Sequence, residues 1–255
     1  MRLYDYAPSL NGYKVRLLLT VIAVVLGTAF VSGSFVFTDT LSGTFNSIFS
    51  SALKGVDTEV KPVNDRNVGV PIILSDKIQA VDGVRAVQVQ VSGPALLIGT
   101  NDKVVRGGGA PSLGGIWTPA DQSIDVPPTI TSGTEPTQPD QVAINESAAK
   151  KAHLVAGDKA KVLVPTTGVI DVTVTGIYHL KTATGGYVGI LFPKAQGVTL
   201  FTDGQHVPSI QVAAKPGVSE NTLTARIAAI LPADLKAQTG DKVRKDAEDT
   251  VQTAL

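Results

Sequence analysis

The residues best placed for covalent chemistry are Ser51 and Lys54, which form a Ser-x-x-Lys motif. On a helix, a lysine one turn after a serine can activate the hydroxyl as a nucleophile. Such a site also needs Ser-Asp-Asn and Lys-Thr-Gly segments, and the chain offers only Ser75-Asp76-Lys77 and Lys181-Thr182-Ala183. We therefore predict that Ser51 and Lys54 form the polar face of a helix, and a secreted serine hydrolase is the least favoured function.

Other groups that could hold a metal or a phosphate lack the required partners. His153, His179 and His206 are far apart, with no His-Glu-x-x-His spacing around them. The triple glycine 107–109 is not followed by Lys-Ser or Lys-Thr, so the phosphate loop of ATP-hydrolysing proteins is missing. Asn145 begins a glycosylation sequon, although its position is typical of a helix N-cap. We predict no catalytic residue, no metal ligand and no cofactor.

The composition excludes two further classes of function. The 255 residues include 22 basic and 22 acidic side chains, and a net charge of zero argues against nucleic acid as a partner. The sequence contains no cysteine, so it has neither disulfides nor thiol chemistry. The domain must therefore be held together by its apolar core alone.

One apolar segment, Leu17–Phe37, carries no charge over about 21 residues and would reach roughly 31 Å as a helix. Lys14 and Arg16 precede it, which favours a cytoplasmic N-terminus and an extracytoplasmic remainder. We predict a single-pass anchor in the cell membrane. A cleaved signal peptide and a buried core helix are the alternatives, and the length of the segment disfavours both.

Small residues in this segment recur four positions apart, a spacing that lets another membrane helix approach closely. We predict helix–helix packing through six of them: Ala23, Gly27, Thr28, Ala29, Ser32 and Gly33.

After the apolar segment, Leu41–Leu53 has the spacing of an amphipathic helix. Two β-α-β patterns then occur far apart in the sequence, and they predict one α+β layer split by a large insertion. In order, the expected elements of this layer are a strand at Thr58–Val63, a helix from Ser75 to Val81, a strand at Val84–Val91, a strand at Ser209–Ala214, a helix at Ser219–Leu231 and a strand at Asp234–Thr239.

The insertion, from Gly93 to about Phe201, alternates short apolar runs with turn residues and is predicted to be β-rich. Its expected elements are strands at Ala95–Gly99, Val142–Ile144, Lys161–Pro165, Val169–Tyr178 and Tyr187–Phe192, a helix at Glu146–His153, a second helix starting within Pro193–Gly197, a loop at Gly107–Thr118 and a Pro-rich stretch at Val126–Pro139. Trp117 lies in the Gly- and Pro-rich loop. A single tryptophan there either fills a local core, which is the commoner case, or contacts a partner, and we name Trp117 as the candidate for such a contact.

The order of several motifs resembles actinobacterial FtsX-like permeases with a MacB-type extracytoplasmic domain. The resemblance rests on Ser-Gly-Ser-Phe-Val-Phe-Thr-Asp-Thr-Leu at the end of the apolar segment, Val81–Val84, Gly107–Trp117, Gln141–Ser147, Leu154–Lys159 and Lys215–Ser219. These motifs cover nearly the whole chain in order, although none is specific by itself.

The resemblance implies an ABC transporter permease that performs no catalysis and couples ATP-driven motion of a cytoplasmic partner to an external substrate or partner. Its partners would be an ABC ATPase subunit, other permease helices or a homodimer mate, and membrane lipid. The implied fold is α+β, with one N-terminal transmembrane helix, an extracytoplasmic porter-like split β-α-β layer and an inserted β-rich subdomain.

The expected organisation is a cytoplasmic tip at 1–16, the membrane helix at 17–37, an amphipathic connector at 38–56, the porter-like part at 57–92 and 202–240, the insertion at 93–201, and a helical approach to a second membrane helix at 241–255. No second apolar run of membrane length follows Phe37, so the chain is expected to be a truncated or split permease. The alternative is a self-contained single-pass exported binding protein.

Overall fold

The computed structural model describes residues 14–35, 53, 55–64, 68–100, 102–107, 111–124, 126–181 and 186–254. The chain divides into two compact units, residues 50–246 and the two terminal segments 1–49 and 247–255. The predicted amphipathic helix at Leu41–Leu53 and the Ser51/Lys54 pair lie outside the described residues, apart from Leu53.

The predicted apolar helix is present as α1, Lys14–Phe35, with a mean hydropathy of 2.2. By length and composition it can cross a membrane. It begins three residues before the predicted start, and Val36 and Phe37 lie outside the described residues. The Thr28 hydroxyl donates to the Val24 carbonyl oxygen at 2.8 Å, so this polar group is satisfied within the helix.

The described part of the chain after α1 contains fourteen strands and five helices. In chain order they are β1 (Thr58–Pro62), β2 (Val70–Pro71), α2 (Leu74–Gln79), β3 (Val84–Gln90), β4 (Ser92–Pro94), β5 (Leu96–Ile98), β6 (Ser112–Ile116), β7 (Thr129–Gly133), β8 (Gln141–Asn145), α3 (Glu146–Ala152), β9 (Lys159–Val164), β10 (Gly168–His179), β11 (Val188–Phe192), α4 (Lys194–Phe201), β12 (His206–Val207), β13 (Ser209–Ala214), α5 (Glu220–Ala228), β14 (Leu235–Thr239) and α6 (Gly240–Ala254).

The two predicted β-α-β patterns meet in one four-stranded antiparallel sheet, in the order β14-β1-β13-β3. The apolar core of this sheet includes Val60, Ile78, Ile210, Leu223 and Ile227, all of them fully buried. Each helix therefore contributes apolar side chains to the same core as the strands. The predicted strand at 209–214 is confirmed residue for residue, and the mixed α+β class is confirmed as well.

Two predictions about the helices of this layer are wrong in detail. The helix predicted from Ser75 to Val81 starts one residue earlier, at Leu74, and ends at Gln79, and the Ser75 hydroxyl donates to the Ile72 carbonyl oxygen. The helix predicted at Ser219–Leu231 ends earlier, at Ala228, which leaves Ile230 44% exposed.

Between β3 and β13 the chain forms a larger sheet, in the order β4-β6-β11-β8-β10-β9-β5, with β7 paired to β10. The prediction of a loop at Gly107–Thr118 is wrong, because this segment contains β6. Its glycines allow close packing: a Cβ on Gly114 would lie 2.2 Å from the Phe201 ring. The Pro-rich stretch Val126–Pro139 likewise contains β7, which the sequence did not predict.

Asn145 caps α3 as predicted and also joins two strands. Its Oδ1 accepts from the Ala148 N–H and, at 3.0 Å, from the Gly189 N–H, while its Nδ2 donates to the Tyr187 carbonyl oxygen at 2.9 Å. The side chain is 3% exposed, so these three hydrogen bonds have no water to replace them.

Replacing Asn145 with alanine should destabilise the fold more than removing a simple cap. We expect Asn145→Ala to lower the free energy of unfolding by about 2–4 kcal/mol, because two buried backbone groups lose their partner together with the cap. Ser219→Ala, which removes the cap of α5, should cost about 1 kcal/mol. Chemical denaturation of the detergent-solubilised chain measures both, and equal losses would contradict the additional role of Asn145.

Candidate functional site: the junction at the start of α6

The best-connected polar site in the described chain lies where the segment before β1 meets the segment after β14. It consists of Leu53, residues 55–57 and residues 239–244, and we call it the junction. In the sequence, residues 53–57 follow α1 and lead into the four-stranded sheet, while α6 leads out of that sheet. The junction is therefore the point where both chain ends of the sheet come together.

The backbones of the two segments touch at Gly240. Its N–H donates to the Asp57 carbonyl oxygen at 2.9 Å. A Cβ at this position would lie 1.9 Å from the Val56 carbonyl oxygen, so no other residue fits without moving backbone. Gly55 is similarly confined, since its Cβ would lie 2.1 Å from the Ile124 carbonyl oxygen. Two glycines thus allow the segment before β1 to pack against neighbouring backbone on both sides.

Arg244, on the first turns of α6, binds both segments at once. Its Nη1 donates to the Val56 carbonyl oxygen at 3.1 Å, and its Nη2 donates to Glu220 Oε1 at 2.8 Å and to Asp241 Oδ1. Glu220 Oε2 accepts from the Asp241 N–H at 3.0 Å, which links α5 to α6. One guanidinium therefore connects the segment before β1, the start of α5 and the start of α6.

The charge of Arg244 is maintained despite its partial burial. Burial by itself would lower the pKa of the guanidinium, and hydrogen bonds to Asp241 and Glu220 oppose this, so that the pKa lies above its ordinary value. The Arg244 and Glu220 side chains are 28% and 25% exposed, so their ion pair is more shielded from solvent than a surface pair.

Asp57 and Val56 fasten the junction to the sheet. Asp57 Oδ2 accepts from the Ala214 N–H at 2.7 Å, at the end of β13. Val56 is 1% exposed and packs in a small core with Ala86, Ala213 and Ile124. A displacement of residues 53–57 would therefore act directly on β13, α5 and α6. The arrangement ties the segment before β1 to β13, α5 and α6.

The three histidines do not meet. His179 Nδ1 pairs with Glu146 Oε2 at 2.9 Å, and this hydrogen bond lowers the pKa of Glu146. His206 Nδ1 pairs with Asp203 Oδ2 at 2.7 Å. The Asp203 pKa falls to about 2, chiefly because the Gln205 N–H donates to the carboxylate, with further help from His206. His153 ends α3 in the left-handed conformation. Among the described residues, no three His, Asp or Glu side chains are grouped to hold a metal ion.

Trp117 lies largely inside the fold. It is 6% exposed and packs with Ala143 and Tyr178, whose ring centroid is 6.2 Å away in an edge-on arrangement. Burial raises the Tyr178 pKa well above its ordinary value, so the phenol stays neutral. In the described part of the chain the Trp117 Nε1–H has no hydrogen-bond partner. Contact between Trp117 and an external partner stays a prediction.

The small residues of α1 all lie on exposed faces of the helix: Ala23, Gly27, Thr28, Ala29, Ser32 and Gly33. At about 100° per residue, the pairs 23/27, 28/32 and 29/33 point in three directions. A single neighbouring helix can therefore use only one or two of these pairs, and the packing role stays a prediction.

Sequence reasoning missed Arg244, Gly240 and Asp57. The sequence predicts the segment 241–255 only as a helical approach to a second membrane helix, and that prediction gives no role to its charged residues. The only available signal was the Thr-Gly-Asp run directly after a strand, which marks a helix start but not what that helix touches.

Comparisons with known proteins agree on one family. The sequence profile of the MacB-like periplasmic core domain matches residues 17–230. The periplasmic region of MacB from Actinobacillus actinomycetemcomitans superposes with a TM-score of 0.54 at 16% identity, covering 77% of this chain and 96% of that one. The extracellular domain of the noncanonic ABC-type transporter YknZ from Gram-positive bacteria superposes with a TM-score of 0.50 at 13% identity, covering 72% and 99%. These identities show a shared fold. No curated protein sequence matches significantly.

Removing the guanidinium should loosen the junction far more than removing a surface ion pair. We expect Arg244→Ala to lower the free energy of unfolding by about 1–3 kcal/mol, because Glu220 and the Val56 carbonyl lose a half-buried partner. The matched control is Arg226→Ala. Arg226 pairs with Asp82, whose side chain is 85% exposed, so this substitution should lower the free energy of unfolding by under about 1 kcal/mol. Denaturation midpoints compare the two, and equal effects would mean that the Arg244 network adds nothing beyond a surface pair.

Proposed function

Because this chain belongs to the family of MacB-like periplasmic core domains, which are parts of ABC-type transporter permeases and not enzymes, we propose that it transmits motion. In this proposal the domain lies outside the cell membrane and α1 anchors it. ATP-driven motion of membrane helices reaches the sheets through the junction. The single observation that carries the proposal is that Arg244 and Gly240 join the segment arriving from α1 to the segment leaving on α6.

The proposed direction of coupling follows from chain order. A movement of α1 pulls on residues 53–57, which follow it in the sequence. Because these residues bond to Arg244, Gly240 and the end of β13, the sheet and α6 move with them. The family implies an ATPase partner and further permease helices, and we propose that these helices continue from α6. Lys14 and Arg16 support a cytoplasmic N-terminus, with the sheets on the opposite side of the membrane.

The division of labour within the domain is also a proposal. We assign the four-stranded sheet, near residues 57–92 and 202–240, to the porter-like part, and residues 93–201 to the inserted part. Two chain crossings join them, one from β3 into β4 and one through Phe201–Pro208. The parts are also joined by packing, since Ile124 of the inserted part lies in one small core with Val56, Ala86 and Ala213. A force applied at the junction therefore reaches both parts, and we propose that it changes their relative posture.

The test follows this posture in the assembled system. The chain has no cysteine, so Arg85→Cys on β3 and Lys159→Cys at the start of β9 provide unique positions for two spin labels. Both side chains are exposed, so labelling should not disturb either core. With the remaining permease helices and the ATPase subunit reconstituted in nanodiscs, pulsed electron resonance measures the label-to-label distance with ATP and with ADP.

We expect the distance distribution to shift between nucleotides in the wild type and with Arg226→Ala. The shift should be lost with Arg244→Ala, because the two segments of the junction are then uncoupled. If the label-to-label distance in the wild type is the same with ATP and with ADP, the proposal is contradicted. So would a shift that persists unchanged in the Arg244→Ala variant.

A further inference from the structure

We propose that the free edge of β3 is a binding site for an extended peptide segment of an external protein, which adds to the four-stranded sheet as a fifth strand. This site is separate from the junction and does not depend on how the domain is coupled to the membrane. It lies in a cleft of about 280 Å³, which we call the β3 cleft. One wall is β3 at Val87–Val89, and another is Trp117–Pro119.

The edge is open in the described part of the chain, because β3 is the last strand of its sheet and pairs only with β13. The direction of its backbone groups follows from the register. The Val212 carbonyl oxygen accepts from the Asp57 N–H, so Val212 faces β1 and its neighbour Gln211 faces β3. Gln211 lies opposite Gln88, and Val212 lies opposite Val87.

In an antiparallel pair, residues that face the partner alternate with residues that face away. Gln88 therefore bonds to β13, while the N–H and C=O groups of Val87 and Val89 point into the β3 cleft. Four backbone groups spaced two residues apart match the hydrogen-bonding pattern of an extended peptide. A small ligand would satisfy one or two of these groups, and a strand satisfies all of them.

In the part of the chain that the structure describes, this strand position is vacant. β4 pairs antiparallel with β6, with Ser92 opposite Gly115 and Gly93 opposite Gly114. If this pairing continued along both segments without a bulge, Trp117 would lie opposite Gln90 and Pro119 opposite Gln88. In the described part of the chain, β3 pairs only with β13, and the Trp117 N–H donates to the Phe192 carbonyl oxygen on the other side of β6 at 2.7 Å. The two segments separate at this point, and the gap between them is the β3 cleft.

The size of the cleft favours a single peptide strand as its ligand over a second copy of the domain. Trp117–Pro119 and Glu135–Thr137 both line the cleft, and its volume of about 280 Å³ admits part of an extended segment and not a folded domain. An isolated extended segment needs only about 5 Å beside β3. The cleft carries both a Lys194 and a Glu135 side chain, so its specificity is expected to come mainly from backbone pairing and alternate side chains.

The experiment identifies the peptide and tests the edge at the same time. A random twelve-residue library without tryptophan, displayed on phage, is selected on the full chain in nanodiscs and counter-selected on Val87→Pro. Proline removes the outward N–H of Val87 and breaks no bond to β13, and edge strands tolerate it. Val87→Thr keeps the N–H and is the matched control. Because Trp117 is the only tryptophan and lines the cleft, its emission reports binding of each selected peptide.

We expect enriched peptides with alternating β-branched residues that bind the wild type and Val87→Thr alike. They should bind Val87→Pro about tenfold more weakly, since at least one backbone hydrogen bond is lost. On the unchanged wild type, N-methylation of the amides that face β3 should weaken binding by a similar factor, while methylation of the intervening amides should not. If Val87→Pro fails to fold, the N-methylated peptides test the proposal on the wild type alone. The absence of any enriched peptide, or binding that is indifferent to N-methylation, would overturn the proposal.

Discussion

The close backbone contact between Gly240 and residues 56–57 is the constraint on which the rest of this structure depends. A Cβ at Gly240 would lie 1.9 Å from the Val56 carbonyl oxygen, so the two segments can meet only at glycine. This contact brings Arg244 within reach of Val56 and Glu220, and it lets β14 continue directly into α6. The segment that follows α1 and the segment that leaves the sheet are thereby held as one mechanical element.

A domain held together in this way suits a permease part that performs no catalysis. The acidic, basic and histidine side chains of the described residues serve local structure: Asp203 organises a turn, Glu146 pairs with His179, and Asp57 accepts from the end of β13. The described residues expose an apolar helix that by length and composition can cross a membrane, and β3 has no second strand partner in the described part of the chain.

Much of the fold could be predicted from the sequence, because its signals are local. The strand predicted at Val84–Val91, the start of the helix predicted from Ser219 and the Asn145 cap each depend on residues close in sequence, and all three agree with the observed elements. The strands β6 and β7 could not be predicted, because their glycines and flanking prolines are typical of loops. Gly114 is needed in β6 only because the Phe201 ring lies against it, and that contact joins residues distant in sequence.

The candidate site was hidden for the same reason. Arg244 contacts residues almost two hundred positions earlier in the chain, and no local pattern indicates this. The most direct test of the account is amide hydrogen exchange at Gly240 and Ala214 in the full chain in nanodiscs. If the junction is one cooperative unit, both amides should exchange with the same opening free energy. Rapid exchange at Gly240 beside a protected Ala214 would show that α6 frays independently, and the account of coupling through the junction would be wrong.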